Sequence, residues 1–205
     1  MILCDVGNTS VDLFIEGQCS KFSAEDFDPA TLRDDVYFVS VNTAFNERIR
    51  GYPNWHDLRA FIDWDKYYPT MGLDRIMVCE AVDNGVIVDA GSAITVDLMH
   101  DSVYQGGFIS LGLRAAQEAY GRLSPALEMS FNFEVDLTIM AKNTPDALTV
   151  GFFAPLIEKI KGFEKTIFLT GGDARQLSHF LPEAVVVEDL IFQGMKKLIE
   201  KGVKC

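Results

Sequence analysis

Apolar and polar positions change rhythm several times along the chain. MILCDVG (1–7) is a short apolar run ending in Asp-x-Gly. SVDLFIEGQCSKFS (10–23) follows, and its pattern on either side of Glu16-Gly17 predicts two strands joined by a turn. YFVSVN (37–42) predicts another strand, and a polar stretch over 43–66 then carries Trp55, His56 and Trp64. Pro69 and Gly72 punctuate a loop, after which 73–82 reads as a helix or a buried segment. VIVDAGSAITVDLMHDSVYQGGFIS (86–110) is a strand ending in Asp89-x-Gly91, then a second strand leading to a turn near His100-Asp101. SLGLRAAQEAYGRLSPAL has helical spacing, with Gly112 near its start and Pro125 past its end. ALTVGFFAPLIEKIKGF predicts a helix stopping near Gly162, and KTIFLTGGDARQLSHFL a strand, a Gly-Gly turn and a helix. A strand and a last helix close the chain in VVVEDLIFQGMKKLIEKG. Strands alternating with helices define an α/β protein.

The two Asp-x-Gly loops resemble each other. Asp5 lines up with Asp89 and Gly7 with Gly91. After one inserted residue, Val11-Asp12-Leu13 faces Val96-Asp97-Leu98. A single Asp-Gly turn is ordinary hairpin chemistry. Two of them, each ending a strand and followed by hydroxyl residues and a second strand, suggest a duplicated half. Such loops suit phosphate: Gly lets the backbone approach closely, and successive N–H groups with Ser or Thr hydroxyls donate to its oxygens. A carboxylate beside them needs a cation in between. Two such loops across a cleft would grip a nucleotide triphosphate from both sides. GxxxxGK[ST] and GxGxxG are both missing, so this is a different phosphate-binding solution.

Composition narrows the function. With 205 residues, the chain holds one large domain or two small ones, and 48% hydrophobic with 23% charged residues is ordinary for a globular protein. Acidic residues outnumber basic ones 30 to 18, for a formal charge of −12, which counts against nucleic acid as a partner. Local cations still leave room for an anionic substrate. Cys4, Cys19, Cys79 and Cys205 show no CxxC spacing; Cys4 and Cys79 lie in apolar runs and read as small core residues. A reducing compartment follows. Neither a signal peptide nor a membrane span is expected, and the expected location is cytoplasmic. His56, His100 and His179 have no ligand spacing, so zinc is not expected.

Asp5-Val6-Gly7-Asn8-Thr9, Gly72-Leu73-Asp74-Arg75, Asp89-Ala90-Gly91-Ser92 and Gly171-Gly172-Asp173 occur in the order and rough spacing of the type III pantothenate kinases. The chain resembles that family over nearly its whole length, including Asp189-Leu190 and Gly194-Met195. Gly106-Gly107-Phe108-Ile109 also matches, with Leu111 where the family has proline before Gly112. The resemblance implies an acetate-kinase/Hsp70/actin-like fold of two ribonuclease-H-like halves, 1–83 and 84–205, with ATP in the cleft between them. It also implies a homodimer that phosphorylates pantothenate at its 4′-hydroxyl using ATP, Mg²⁺ and a monovalent cation, K⁺ or NH₄⁺.

Carried over residue by residue, Asp5, Val6, Gly7, Asn8, Thr9, Ser10, Val11 and Asp12 form the first ATP loop, with Asp5 holding magnesium. Asp74 is the candidate base, and Gly72, Leu73, Asp74 and Arg75 bind pantothenate. An Asp-Arg pair at a helix start is otherwise a plain surface feature. Asp89 takes the monovalent cation, and Ser92 contacts ATP in place of the family's Thr, keeping the hydroxyl. Tyr68 is the aromatic wall of the pantothenate pocket, with Tyr67 competing for that role. Thr144 reaches substrate bound by the partner subunit, or caps the following helix. Asp97 stays unassigned, and the two tryptophans read as core or interface residues. The competing function is a non-catalytic ATP-binding regulatory module of the same fold.

Overall fold

The computed structural model describes residues 1–202, so Cys205 lies outside the described residues. The chain divides into two compact units, one comprising Met1–Val82 and the segment from Asp189 onward, the other Asp83–Glu188.

The first unit is built on β1 (Ile2–Val6), β2 (Ser10–Ile15), β3 (Gln18–Ser23), β4 (Val36–Ser40) and β5 (Trp55–Asp57), in the spatial order β3-β2-β1-β4-β5. β2 runs antiparallel to both β1 and β3, whereas β4 lies parallel to β1 and β5 to β4. The turn at Glu16-Gly17 is where the alternation placed it, with both residues at positive φ. β1 is central and buried on both faces except at Asp5, which explains its near-continuous apolar run. The polar stretch 43–66 holds more structure than its composition suggests. α1 (Thr43–Ile49) buries only Phe45 and Ile49, an i, i+4 pair, and β5 contributes Trp55 to a cluster with Phe38 and Phe45. Trp55 is thus a core residue, while Trp64 is exposed.

α2 (Leu73–Ala81) and α6 (Leu190–Gly202) pack together in this unit. A Cβ on Gly194 would collide with the backbone carbonyl of Met77, so the two helices approach closely only because that position is glycine. Phe14 of β2 stacks on Phe192 of α6 at 5.1 Å. The halves that the resemblance implies, 1–83 and 84–205, put α6 in the second; its packing groups it with the first.

The second unit repeats the topology. β6 (Gly85–Ala90), β7 (Ala93–His100), β8 (Val103–Leu111), β9 (Ile167–Thr170) and β10 (Val185–Val186) take the order β10-β9-β6-β7-β8, with the same sense of pairing as in the first sheet. α3 (Leu113–Leu123), α4 (Thr144–Lys161) and α5 (Ala174–Leu177) complete it, each where the pattern placed a helix. Phe131, Phe153 and Phe180 anchor its core, and the irregular segment before α4 is held there by Phe131 and by Asn132, whose N–H donates to the Thr149 hydroxyl at 2.9 Å.

Register corrects the alignment of the two loops. Asp5 pairs with Asp12 across β1 and β2, but Asp89 pairs with Thr95 across β6 and β7. The first loop closes through Gly7 N–H to Ser10 O at 2.9 Å and the second through Gly91 N–H to Ala93 O at 3.0 Å. The second loop is therefore one residue shorter, not longer. Thr95, and not Asp97, is the counterpart of Asp12.

Candidate active site

Asp5 sits half-buried one residue before the end of β1, directly opposite Asp12. Asp12 accepts hydrogen bonds from the Ser10 hydroxyl at 3.1 Å and from Lys21 Nζ at 3.2 Å. Val6 and Val11 turn into the core, so within residues 5–12 they can offer a ligand only backbone groups. Asn8 and Thr9 are exposed at the loop tip. The loop's carbonyls are held by residues that follow β3 and β4: Asn42 Nδ2 donates to Gly7 O and Asn8 O, both at 3.3 Å, and Ala24 N–H donates to Thr9 O at 3.0 Å. Burial, with the Asp5 and Asp12 charges nearby, pushes the Cys4 thiol well above its ordinary range, so Cys4 is a core residue as its sequence context indicates. Cys79 is buried as well.

Gly72 caps the N-terminus of α2, placing Asp74 in its first turn, where Arg75 N–H donates to Asp74 Oδ1 at 2.9 Å. Leu73 packs inward. Arg75 is 5% exposed, and its Nη1 donates to the Tyr68 hydroxyl at 2.6 Å with the guanidinium 5.9 Å from that ring's centre. This geometry separates the two tyrosines. Tyr68 is 40% exposed and partners Arg75, while Tyr67 is 6% exposed and donates to Glu80 Oε1 at 3.0 Å. Glu80 also accepts from Lys201 Nζ at 2.6 Å, with Lys66 Nζ at 3.8 Å. Burial opposes its charge, but the Lys201 bond and the two ammonium groups outweigh burial and hold the carboxyl below its ordinary value.

In the second unit, Asp89 occupies the matching place near the end of β6, paired with Thr170 of β9. Gly171, at φ +88°, leaves no room for a side chain because a Cβ there would strike Asp89 Oδ1 and the Ala90 carbonyl. The Gly171-Gly172-Asp173 turn thus lies against Asp89, and Asp173 N–H donates to Ala90 O at 2.9 Å. Burial raises the Asp173 carboxyl. Ser92 is exposed at the tip of its loop. Asp97 is fully buried and accepts from the Tyr104 hydroxyl at 3.1 Å, an interior pairing. Thr144 is the exposed first residue of α4, and the cap is Asn143, whose Oδ1 accepts from Asp146 N–H at 2.9 Å. The capping alternative for Thr144 is thereby removed.

Among the described residues, no group of three His, Cys, Asp or Glu side chains is placed to hold a metal ion by itself. A magnesium ion that keeps most of its waters and takes one or two carboxylates plus phosphate oxygens needs no such group, and the hard oxygen donors of Asp5 and Asp12 fit it. Asn42, Glu80 and Lys201 do not stand out in the sequence as site residues. Asn42 had one available signal, an N-capping residue ahead of Thr-Ala-Phe-Asn-Glu-Arg.

Two units with the same strand order, each carrying an Asp-x-Gly loop after its central strand, define the acetate-kinase/Hsp70/actin-like class with its ribonuclease-H-like halves. A Sinorhizobium meliloti structure described as a 2-dehydro-3-deoxygalactonokinase shares the fold at TM-score 0.61 and 11% identity, over 98% of this chain and 96% of that one. The family model for type III pantothenate kinase matches residues 54–166. A curated type III pantothenate kinase from Sulfurimonas denitrificans is 44% identical over 205 residues, covering 100% of both chains. Another, from Campylobacter jejuni, is 33% identical over 98% of each. A solved Campylobacter jejuni structure, described as a conserved Baf family transcriptional activator, superposes at TM-score 0.88 with 31% identity over 100% of both chains. The chain belongs to the type III pantothenate kinase family.

Proposed function

We propose that the protein transfers the γ-phosphoryl group of ATP to the 4′-hydroxyl of pantothenate, giving 4′-phosphopantothenate and ADP, the first step of coenzyme A biosynthesis. One observation carries this reading beyond family membership: Gly72-Leu73-Asp74-Arg75 opens α2 with its arginine buried and tied to an exposed tyrosine. A fixed guanidinium beside a phenol suits a small substrate that bears a carboxylate and hydroxyl groups.

In this reading Asp74 accepts the proton of the attacking hydroxyl as its oxygen bonds to the γ-phosphorus and the bond to the β-phosphate oxygen breaks. Phosphoryl transfer depends mainly on positioning and charge stabilisation, so Asp74 chiefly orients the nucleophile. Arg75 and Tyr68 hold pantothenate. The loop at residues 5–12 and Ser92 hold ATP. Asp5 would hold Mg²⁺ and Asp89 a monovalent cation, K⁺ or NH₄⁺, which would supply positive charge to offset that of the transferring phosphoryl group. Thr144 reaches substrate on the partner subunit of a homodimer.

The competing reading, a non-catalytic ATP-binding module, has less support. A module that only binds ATP has no use for Asp74, and a chain of formal charge −12 is poorly suited to direct DNA contact. The test is ADP release from purified protein with ATP, Mg²⁺ and K⁺, with and without pantothenate. Release that depends on pantothenate is expected; ATP binding without such release would favour the module.

A further inference from the structure

The carbonyls at the tip of the first loop are all taken up by neighbouring residues, and that has a chemical consequence. In a planar trans peptide the C=O of one residue and the N–H of the next point in opposite directions. The carbonyls of Gly7 and Asn8 are both drawn to Asn42 Nδ2, and that of Thr9 to Ala24 N–H. The N–H groups of Asn8 and Thr9 therefore point away from Asn42, and that of Ser10 points away from Ala24. Gly7 N–H is already used in closing the loop onto Ser10 O. Successive N–H groups turned one way form a concavity that attracts an anion.

We propose that Asn42 is a positioning residue that orients this loop for a nucleotide phosphate. The proposal rests on the reading of the loop as the ATP phosphate loop. Asn42 is well built for the task because its amide splits between two jobs. Its Oδ1 accepts from Phe45 N–H at 3.0 Å and caps α1, while its Nδ2 holds the loop carbonyls. Its own N–H donates to the Ser40 hydroxyl at 3.1 Å at the end of β4. From the same helix, Arg48 donates to the carbonyls of Ala24, at 2.7 Å, and Phe27, which steadies the segment whose Ala24 N–H holds Thr9 O. α1 thus governs the loop through two separate routes, and Asn42 is the direct one.

Two substitutions separate the jobs. Asn42→Ser and Asn42→Asp each keep an oxygen that can cap α1 and lose the amide donor to Gly7 and Asn8. Gly7→Ala serves as the test of the loop itself. Its Cβ would lie 3.6 Å from Ser10 O, an ordinary contact, so the loop keeps its shape while a methyl group crowds an approaching phosphate. The measurements are KM for ATP, KM for pantothenate and melting temperature. Expected is a rise of about five- to tenfold in KM for ATP in both Asn42 variants, the scale of one or two lost hydrogen bonds. KM for pantothenate and melting temperature should stay at wild-type values, and Gly7→Ala should also raise KM for ATP. If Gly7→Ala raises it and the Asn42 variants do not, Asn42 only caps the helix and the proposal is overturned. Both KM values rising together with a fall in melting temperature would mean a cap role alone and would overturn it equally. An unchanged KM for ATP in Gly7→Ala would sink the phosphate-loop reading, and the positioning role with it.

Discussion

Arg75 is the residue on which the substrate reading turns. A buried guanidinium must be hydrogen-bonded to be tolerated, and the Tyr68 hydroxyl, at 2.6 Å, is one of its partners. Removing that hydroxyl leaves the ring as a wall but loosens the cation it orients. Tyr68→Phe is therefore expected to raise KM for pantothenate by about three- to tenfold with KM for ATP unchanged, the effect of one charge-assisted hydrogen bond. Equal changes in both constants, measured by steady-state kinetics, would contradict the assignment. The Gly-Leu-Asp-Arg stretch stands out in the sequence only through the family resemblance, which four short motifs in order carry together; alone it reads as an ordinary helix start. Which of two adjacent tyrosines joins it is not legible there. Tyr67 and Tyr68 differ only in the side to which they turn, and that is fixed by Glu80, thirteen residues further on.

Among the elements, α2 carries Asp74 and Arg75 and takes its seat from α6. Their close approach depends on Gly194, where a Cβ would meet backbone and not a movable side chain. Gly194→Ala is expected to cost about 1–3 kcal/mol of stability, the usual penalty of overpacking, as read by denaturant unfolding. An unaltered midpoint would show that the helices can part freely. The same pair of helices carries a pH signal. Glu80 is held below its ordinary value of 4.5 in the folded state, chiefly because Lys201 and Lys66 outweigh its burial. A lowered folded-state value contributes stability that is present above the unfolded value and is lost as pH falls through the folded one. Wild-type melting temperature should thus drop more steeply below about pH 4.5 than that of Glu80→Gln, and parallel curves would refute the coupling. Local patterning could reveal α6 as a helix but not its seat, since Lys201 and Glu80 lie 121 positions apart. α1 was hidden for the opposite reason: its apolar face is just Phe45 and Ile49 amid polar residues.

At the scale of the whole molecule, two sheets of identical strand order explain why the Asp-x-Gly repeat could be seen at all. The repeat is topological, and it survives in sequence at Asp5 and Gly7, Asp89 and Gly91, where each central strand must end in a polar turn. It fades in the second strands. There the one-residue difference in loop length shifts the register and sets Thr95, not Asp97, opposite Asp89. No helix among the described residues is long and apolar enough to cross a membrane. Transfer of a phosphoryl group to pantothenate with Asp74 as the base is tested most directly by ADP release in the presence and absence of pantothenate, for the wild type and for Asp74→Asn. The expected result is release that requires pantothenate and falls by about 10²–10⁴ in the variant while ATP binding persists. Pantothenate-independent release, or a variant that turns over like the wild type, would contradict it.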